Sequence, residues 1–134
     1  MTKIELKRGD VVLIAFPFVA GGAVQRKRRP AVVVQSNRYN RQRDAVIIAA
    51  VTSSTAWKNL PCKVLVTKKS VAGAKAGFRL DSVIDCQTLA TVPRDEIVSV
   101  MGRLPSDTMR RIDLALTDAL QIEDTPARQR IRPQ

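Results

Sequence analysis

Short apolar runs separated by Gly, Pro and charged residues make up most of the chain as far as Met101. These runs have the length of β-strands rather than of helices, and several contain β-branched residues in succession. A mainly β fold is therefore predicted, either a small barrel or a strongly bent sheet. The predicted strands cover residues 11–16, 31–35, 45–51, 63–66, 82–86 and 97–101.

The segments between these runs are predicted to be loops. Pro17 is expected to end the first strand, and the following residues 19–28, which include Gly21 and Gly22, are typical of a flexible loop. Residues 36–43 are polar and basic, which indicates a connection at the surface. Two more loops are expected at 53–60 and 68–77.

One amphipathic helix is predicted after the strands. It begins near Pro105, with Ser106 as the expected N-cap and Asp107 close to the positive end of the helix. Apolar residues then recur at helical spacing and form a face that can lie on the sheet. This face consists of Met109, Ile112, Leu116, Ala119 and Leu120. Residues 1–122 are thus interpreted as one domain, and residues 123–134 as a disordered basic tail.

The chain is strongly basic, and its charge is concentrated in the strand-rich part. At 134 residues and 45% hydrophobic content it can form one domain with a genuine core, and its formal charge is +11. Residues 1–94 carry 17 Lys or Arg against 5 Asp or Glu, whereas residues 95–134 carry 6 against 7. High charge alone would also serve solubility, but solubility does not require clustering. A clustered positive surface suits a polyanion, and nucleic acid is the natural candidate.

Several classes of site are excluded or disfavoured by composition. The chain has no His, and Cys62 and Cys86 lack the spacing of metal ligands, so neither a metal site nor a cofactor is expected. Both cysteines lie in or beside apolar strands, where buried thiols are favoured over a disulfide. The N-terminus lacks a signal peptide pattern, and no apolar run is long enough to cross a membrane. We therefore expect a cytoplasmic protein without a membrane partner.

The basic segment 25–30 leads directly into the second predicted strand, and the third predicted strand ends at Thr52 and Ser53. Cleavage of RNA by an adjacent 2′-hydroxyl requires a group that takes a proton, a group that gives one and a group that stabilises the negative phosphorane. Arg suits the last task through its planar guanidinium, and a strand-end hydroxyl can hold a phosphate oxygen. Arg29 and Thr52 are the candidate pair if the two strands are neighbours. The alternatives are a solvated basic cluster and a hydroxyl bonded to backbone.

Short motifs in a fixed order add a resemblance to a known family. The chain is similar to the MazF/PemK family of toxin endoribonucleases of type II toxin–antitoxin systems over about residues 5–122. The resemblance implies an SH3-like barrel with a C-terminal helix, and a homodimer whose groove binds single-stranded RNA. It also implies cleavage of mRNA without a metal and neutralisation by a cognate antitoxin protein. The motifs are residues 8–12, 28–34, 51–53, 81–87 and 91–94, followed by 101–104 and the helix.

The same resemblance assigns the catalytic roles to Arg29 and Thr52. RNA contacts are expected from the basic segment, from the strand-end hydroxyl and from two more distant side chains. Trp57 is one of these, as a base-stacking residue, although a single Trp in a small domain also serves as packing or as a loop anchor. The expected RNA-binding residues are Arg26, Lys27, Arg28, Ser53, Trp57 and Gln87.

The chain departs from the family pattern at three positions. Many members carry Glu shortly before the Arg-Pro motif, where this chain has Val24 and Gln25. Some have Asp where this chain has Cys86, and many have Arg where it has Leu89. Two other functions therefore stay open. One is a barrel that binds nucleic acid without cutting it, and the other is a CcdB-like gyrase poison, which would act through its C-terminal helix.

Overall fold

The computed structural model describes residues 4–123, without the side chains of residues 16–18. Six strands and three helices form in this part of the chain. The strands are β1 (Asp10–Ala20), β2 (Ala23–Val33), β3 (Ala45–Thr52), β4 (Lys63–Val66), β5 (Ser82–Pro93) and β6 (Ile97–Arg103). The helices are α1 (Asn37–Gln42), α2 (Val71–Ala76) and α3 (Ser106–Leu120), and a 3₁₀ turn, Arg94–Glu96, links β5 to β6.

All six strands belong to one antiparallel sheet in the order β4-β5-β3-β2-β1-β6. The predicted mainly β fold with a C-terminal helix is confirmed. The sheet is open between β4 and β6 in the described residues, and this arrangement is compatible with the predicted barrel-like class. The central strands β3 and β2 place the third and second apolar runs side by side, because Ala31 lies opposite Ala50.

The prediction that residues 19–28 form a loop is wrong. β1 continues through Pro17 to Ala20, and β2 begins at Ala23, so the segment is a β-hairpin whose two-residue turn is Gly21-Gly22. Both glycines have positive φ, 60° and 78°, as a turn that matches the twist of a hairpin requires. The basic segment is consequently held in register on a strand instead of in a mobile loop.

Helices replace parts of two other predicted loops. The segment 36–43 contains α1, and the segment 68–77 contains α2, which begins after Ser70. The Ser70 hydroxyl accepts a hydrogen bond from the Gly73 N–H at 3.0 Å, a typical N-cap contact. The predictions for β3, β4 and the loop 53–60 are confirmed.

Apolar side chains cover both faces of the sheet. One group lies between the sheet and the helices α2 and α3, and includes Val32, Val51, Ile84 and Ile112. A second group on the opposite face includes Ala31, Val33 and Ile48 along with Leu6 from the N-terminal segment. Successive residues of β2 alternate between these groups, as the two-residue period of a strand requires.

The helix α3 packs against the sheet with Ile112 and Ala115, which are fully buried. Its N-cap is Pro105, and Ser106 is the first helical residue, so the predicted capping role of Ser106 is wrong. Asp107 lies in the first turn and accepts a hydrogen bond from the Thr108 N–H at 2.8 Å. Leu120 was expected on the buried face, but 54% of its surface is exposed, because the helix ends there.

Two motif residues have structural tasks at the sheet margin. Asp10 is buried and accepts hydrogen bonds from the Lys7 N–H at 2.8 Å and from Arg103 Nε at 2.9 Å. Arg94 is also buried and donates to the carbonyl oxygens of Ile4, Asn40 and Arg43. These contacts connect the N-terminal segment, α1 and the last strands. The predicted tail 123–134 lies, except for Glu123, outside the described residues.

Candidate active site

A surface cavity of about 490 Å³ opens where β2 leaves the core and β3 ends. We call it the basic cavity. Residues of β2 and β3 form one side, and the segment 77–80 before β5 forms another. The lining consists of Lys27, Arg28, Arg29, Pro30, Val51, Thr52, Ser53, Ser54, Gly77, Phe78, Arg79, Leu80, Ser82 and Met101.

The two predicted catalytic residues line this cavity together. β2 and β3 are antiparallel neighbours with Ala31 opposite Ala50. The same register, continued two residues toward the cavity, leads from Ala31 to Arg29 and from Ala50 to Thr52. Both side chains are half-buried. The condition on which the sequence analysis depended, that the two strands are neighbours, is confirmed.

Positive charge prevails around the cavity. Lys27 and Arg28 are exposed, Arg29 is half-buried, and Arg79 approaches from the segment before β5. Among the residues that the structure describes, no Asp or Glu lines the cavity. Cations gathered around a water-filled concavity attract an anion, and their guanidinium groups are shaped to bind phosphate through paired hydrogen bonds.

Hydroxyl groups occupy the end of β3. The Thr52 Oγ1 atom accepts a hydrogen bond from the Ser54 N–H at 3.1 Å, which orients the Thr52 side chain. A hydroxyl can accept twice and donate once, so this contact leaves the Thr52 O–H able to donate to a phosphate oxygen. Ser53 and Ser54 follow it on the exposed rim. The strand end thus offers neutral donors beside the guanidinium groups.

Three other predicted RNA-binding residues lie outside the lining of the basic cavity. Arg26 donates to the Ala15 carbonyl at 3.1 Å and forms an ion pair with Glu96 at 3.3 Å. Trp57 lies in the loop after β3, and 69% of its surface is exposed. Gln87 is exposed on β5. The structure therefore groups Lys27, Arg28 and Ser53 with Arg29 and Thr52, but not these three.

Gln87 belongs to a bulge in β5. Ala49 of β3 lies opposite Leu89, while the next residue, Ala50, lies opposite Asp85, so the residues between Asp85 and Leu89 have no partner on β3. Asp85 holds this bulge: its carboxylate accepts from the Gln87 N–H at 3.0 Å and from the Thr88 hydroxyl at 2.8 Å. Lys63 also forms an ion pair with the Asp85 carboxylate at 3.0 Å.

These contacts determine the ionisation of Asp85. Burial alone would raise its pKa, but the hydrogen bonds from Lys63, Thr88 and the Gln87 N–H outweigh burial and lower it. The carboxylate is therefore ionised at neutral pH and already saturated with donors. The geometry therefore makes Asp85 a support for the bulge rather than a base.

The two cysteines do not form a disulfide. Cys62 and Cys86 are free and buried, as predicted, and the Cys86 N–H donates to the Cys62 carbonyl at 3.0 Å. Burial, and then the neighbouring Asp85 and Cys62, raise the pKa of Cys86 to about 12, so the thiol stays protonated. Within residues 4–123, no cluster of Cys, Asp and Glu is suited to hold a metal ion.

The far wall of the cavity could not be identified from the sequence. Phe78, Arg79 and Leu80 were assigned to no element, and Gly77 was the last residue of a predicted loop. Gly77, Arg79 and Leu80 line the cavity because α2 and the start of β5 lead this segment back past the end of β3. The only signal in the sequence was one basic residue just before a predicted strand, and that signal is too common to identify a site.

Among residues 4–123, none of the helices has the length and apolarity needed to cross a membrane.

Two known endoribonucleases are similar to this chain in sequence. The endoribonuclease MazF6 of Mycobacterium tuberculosis is 31% identical over 102 residues, which cover 75% of this chain and 85% of the relative. The endoribonuclease EndoA of Bacillus subtilis is 30% identical over 119 residues, which cover 89% and 97%.

Solved structures agree on the fold. An endoribonuclease from Mycobacterial species matches 93% of this chain and 100% of its own with a TM-score of 0.71 at 20% identity. MazF from Deinococcus radiodurans matches 89% and 99% with a TM-score of 0.66 at 22% identity. The PemK-like, MazF-like toxins of type II toxin–antitoxin systems match residues 7–120 as a family, which confirms the resemblance found in the motifs. The chain thus belongs to the PemK-like, MazF-like toxin family.

Proposed function

We propose that this protein is an endoribonuclease toxin that cleaves single-stranded RNA, such as mRNA, in the basic cavity without a metal ion. The observation that carries the proposal is the placement of Arg29 and Thr52 in one cavity that is rich in cations, and no carboxylate lines it among the residues that the structure describes. Family membership and the endoribonuclease names of the curated relatives support it.

The chemistry follows from these side chains. The 2′-oxygen of the substrate attacks the neighbouring phosphorus, the bond from phosphorus to the 5′-oxygen breaks, and a 2′,3′-cyclic phosphate and a 5′-hydroxyl result. Charge accumulates on the non-bridging oxygens of the phosphorane. Arg29 stabilises this charge with paired hydrogen bonds, and Thr52 donates one more.

Proton transfer has different demands. The 2′-hydroxyl passes its proton to solvent water, because the chain has no His and the described residues that line the cavity include no Asp or Glu. The departing 5′-oxygen gains a proton. The positive cavity lowers the pKa of a bound 2′-hydroxyl, since it favours the alkoxide. We therefore assign the catalytic effect of this cavity mainly to charge stabilisation. In this proposal Arg29 donates the proton that the leaving oxygen takes up, and it regains a proton from solvent water.

Assembly and location belong to the same proposal. The homodimer and the cognate antitoxin are inferred from the family, and one matching structure is described as an endoribonuclease in complex with its cognate antitoxin. An antitoxin that covers a cavity of this charge would itself present acidic residues. Action on mRNA is consistent with a cytoplasmic protein. Light scattering of the purified chain, alone and with an antitoxin, tests both assemblies.

The decisive experiment follows RNA cleavage in the presence of excess EDTA. A long single-stranded RNA is incubated with the parent protein, with Arg29→Ala and with Arg110→Ala, and cuts are mapped by primer extension. Arg110 lies exposed on α3 and does not line the basic cavity, so its variant is the matched control. We expect discrete cuts from the parent and the control, and a loss of about 100-fold or more in Arg29→Ala.

Other outcomes would change the conclusion. RNA that shifts on a gel but stays intact with the parent protein would indicate a binding barrel without nuclease activity. RNA that is neither bound nor cut would direct attention to a protein target such as gyrase and to α3. Equal cleavage by Arg29→Ala and the parent would refute the mechanism.

A further inference from the structure

The wall of the basic cavity opposite β2 is formed by the segment Gly77-Phe78-Arg79-Leu80, just before β5. We call it the wall segment. Arg79 and Leu80 are exposed there, with 59% of the Leu80 surface accessible, although the neighbouring Phe78 is buried in the core. The buried Phe78 anchors the segment in the core, and this anchor holds the backbone of Arg79 at the cavity.

Contacts on both sides of Arg79 make this segment rigid. The Phe78 N–H donates to the Gly73 carbonyl at 3.0 Å, which attaches the segment to α2. Gly77 has a φ of 81°, and a Cβ atom there would lie 3.0 Å from the Met101 carbonyl oxygen, so the backbone rests on β6. On the other side, the Ser82 hydroxyl donates to the Leu80 carbonyl at 2.8 Å.

The electrostatic surroundings leave Arg79 available to an anion. Within the described residues, the ion pairs involve Arg8, Arg26, Lys63 and Arg103, and none of them includes Arg79. The nearest acid along the chain is Asp81, whose carboxylate accepts a hydrogen bond from the Lys68 N–H at 2.9 Å. Because the backbone on both sides of Arg79 is already fixed, only the Arg79 side chain has to be ordered when it binds a phosphate.

We propose that Arg79 holds a second phosphate of the RNA, next to the one that is cleaved at Arg29. The inference rests on the proposed function, because it takes single-stranded RNA as the ligand. A strand that passes through the cavity from β2 to the wall segment brings one phosphate to each side. Arg79 then positions the substrate without touching the reacting phosphorus, so it contributes to binding more than to the chemical step.

Binding is tested with an RNA oligonucleotide that carries 2′-O-methyl groups and therefore cannot be cleaved. Its affinity for the parent, Arg79→Ala, Arg79→Lys and Arg110→Ala is measured by fluorescence anisotropy between about 50 and about 200 mM salt. We expect Arg79→Ala to bind roughly fivefold to tenfold more weakly, and the slope of log affinity against log salt to fall by about 0.7. Arg79→Lys should keep the slope of the parent but recover only part of the affinity, because it keeps charge without the planar fork.

Cleavage kinetics separate a positioning role from a catalytic one. With unmodified RNA, Arg79→Ala should raise KM by a similar factor and leave the cleavage rate at saturating RNA within about twofold of the parent. Arg29→Ala should instead lose the rate at saturation. If Arg79→Ala matches Arg110→Ala in affinity and salt slope while the parent cuts RNA, the inference is refuted and the proposed function stands. If the parent neither binds nor cuts RNA, both are refuted.

Discussion

At the scale of single residues, Thr52 differs from Ser53 and Ser54, the two hydroxyl residues that follow it, because a hydrogen bond fixes its orientation. Its Oγ1 accepts the Ser54 N–H at 3.1 Å, while Ser53 and Ser54 lie on the exposed rim. An oriented donor stabilises developing charge without first paying for its own rearrangement. The hydroxyl of Thr52 can therefore be bonded to backbone and bind a phosphate at the same time, since the bond from the Ser54 N–H orients the hydroxyl.

Replacement of Thr52 by Val tests this arrangement. We expect Thr52→Val to lower the cleavage rate by about 10- to 100-fold, because the donor to the phosphate is removed while the shape is kept. The free energy of unfolding should fall by only about 1 kcal/mol, the value of one hydrogen bond. Thr52→Ser keeps the hydroxyl and should retain most of the activity. A Thr52→Val protein that cleaves like the parent in single-turnover assays would remove Thr52 from the mechanism.

A second residue-scale prediction concerns the pH dependence of stability at Asp85. Its pKa in the folded protein is lowered from the ordinary value of 3.8, so the carboxylate stabilises the fold above that value. This stability is lost as the pH falls below 3.8 toward the depressed folded pKa. We expect Asp85→Asn to lower the free energy of unfolding by about 1–2 kcal/mol at pH 7.

Urea denaturation at neutral and at acidic pH measures this effect. The difference between Asp85→Asn and the parent should shrink at the acidic end, since the parent carboxyl is then neutral as well. A difference that is the same at both pH values would show that the Asp85 contacts do not depend on its charge. Asp81→Asn is the matched control, because Asp81 is an exposed carboxylate just before β5.

Some residues of the site could be identified from the sequence and others could not, for a physical reason. Arg29 lies just before one apolar run and Thr52 just after another, and the hydrophobic pattern predicts both runs as strands. Neighbouring antiparallel strands bring such ends together. Arg79 lies in a segment without periodicity, and its position depends on how α2 and Phe78 fix the chain. Short-range patterns carry no information about that path.

At the scale of elements, the β1–β2 hairpin takes the place of the loop predicted at residues 19–28. Pro17 and Gly21-Gly22 are strong signals for a loop, yet Pro17 lies within β1, opposite Arg26. β1 pairs with β6 only as far as Ile14, so no described strand pairs with that edge of β1 at Pro17. Proline is tolerated where one side of a strand has no partner. Pro17 and the two glycines thus keep the backbone conformations that they prefer, but they do so within a hairpin and not within a loop.

The turn of this hairpin provides an element-scale prediction. Gly21 has a φ of 60° and no atom lies within 4 Å of its Cβ position, so any cost of substitution comes from the backbone alone. Gly21→Val should destabilise the hairpin by about 1–2 kcal/mol, because a β-branched residue resists positive φ. Gly21→Asn should be tolerated, since Asn adopts this conformation readily.

Hydrogen exchange along β1 and β2 checks the effect. In Gly21→Val, amides near the turn should exchange faster, while amides of β3 and β5 stay protected. RNA cleavage should also fall, because Lys27 and Arg28 depend on the hairpin for their placement. Equal exchange in the Val and Asn variants would mean that the turn does not hold the basic segment.

At the scale of the whole molecule, the charge is asymmetric along the chain and in space. The excess of Lys and Arg lies in residues 1–94, whereas residues 95–134, which include α3, are nearly balanced. Cationic residues nevertheless occur on several surfaces, and net charge alone does not indicate which of them meets the RNA. The basic cavity is distinguished because its cations converge on one concave site, and this convergence results from the sheet topology.

Lysine footprinting follows from this asymmetry. Lys27 lines the basic cavity, while Lys69 is exposed in the turn before α2 and does not line it. With 2′-O-methyl RNA bound, we expect acetylation of Lys27, measured by mass spectrometry, to slow severalfold, with Lys69 unchanged. Since both side chains are exposed in the free protein, the ratio of their rates reports RNA contact rather than initial accessibility. Protection of Lys69 with Lys27 unaffected would place the RNA on another face and would contradict the cavity as the site of cleavage.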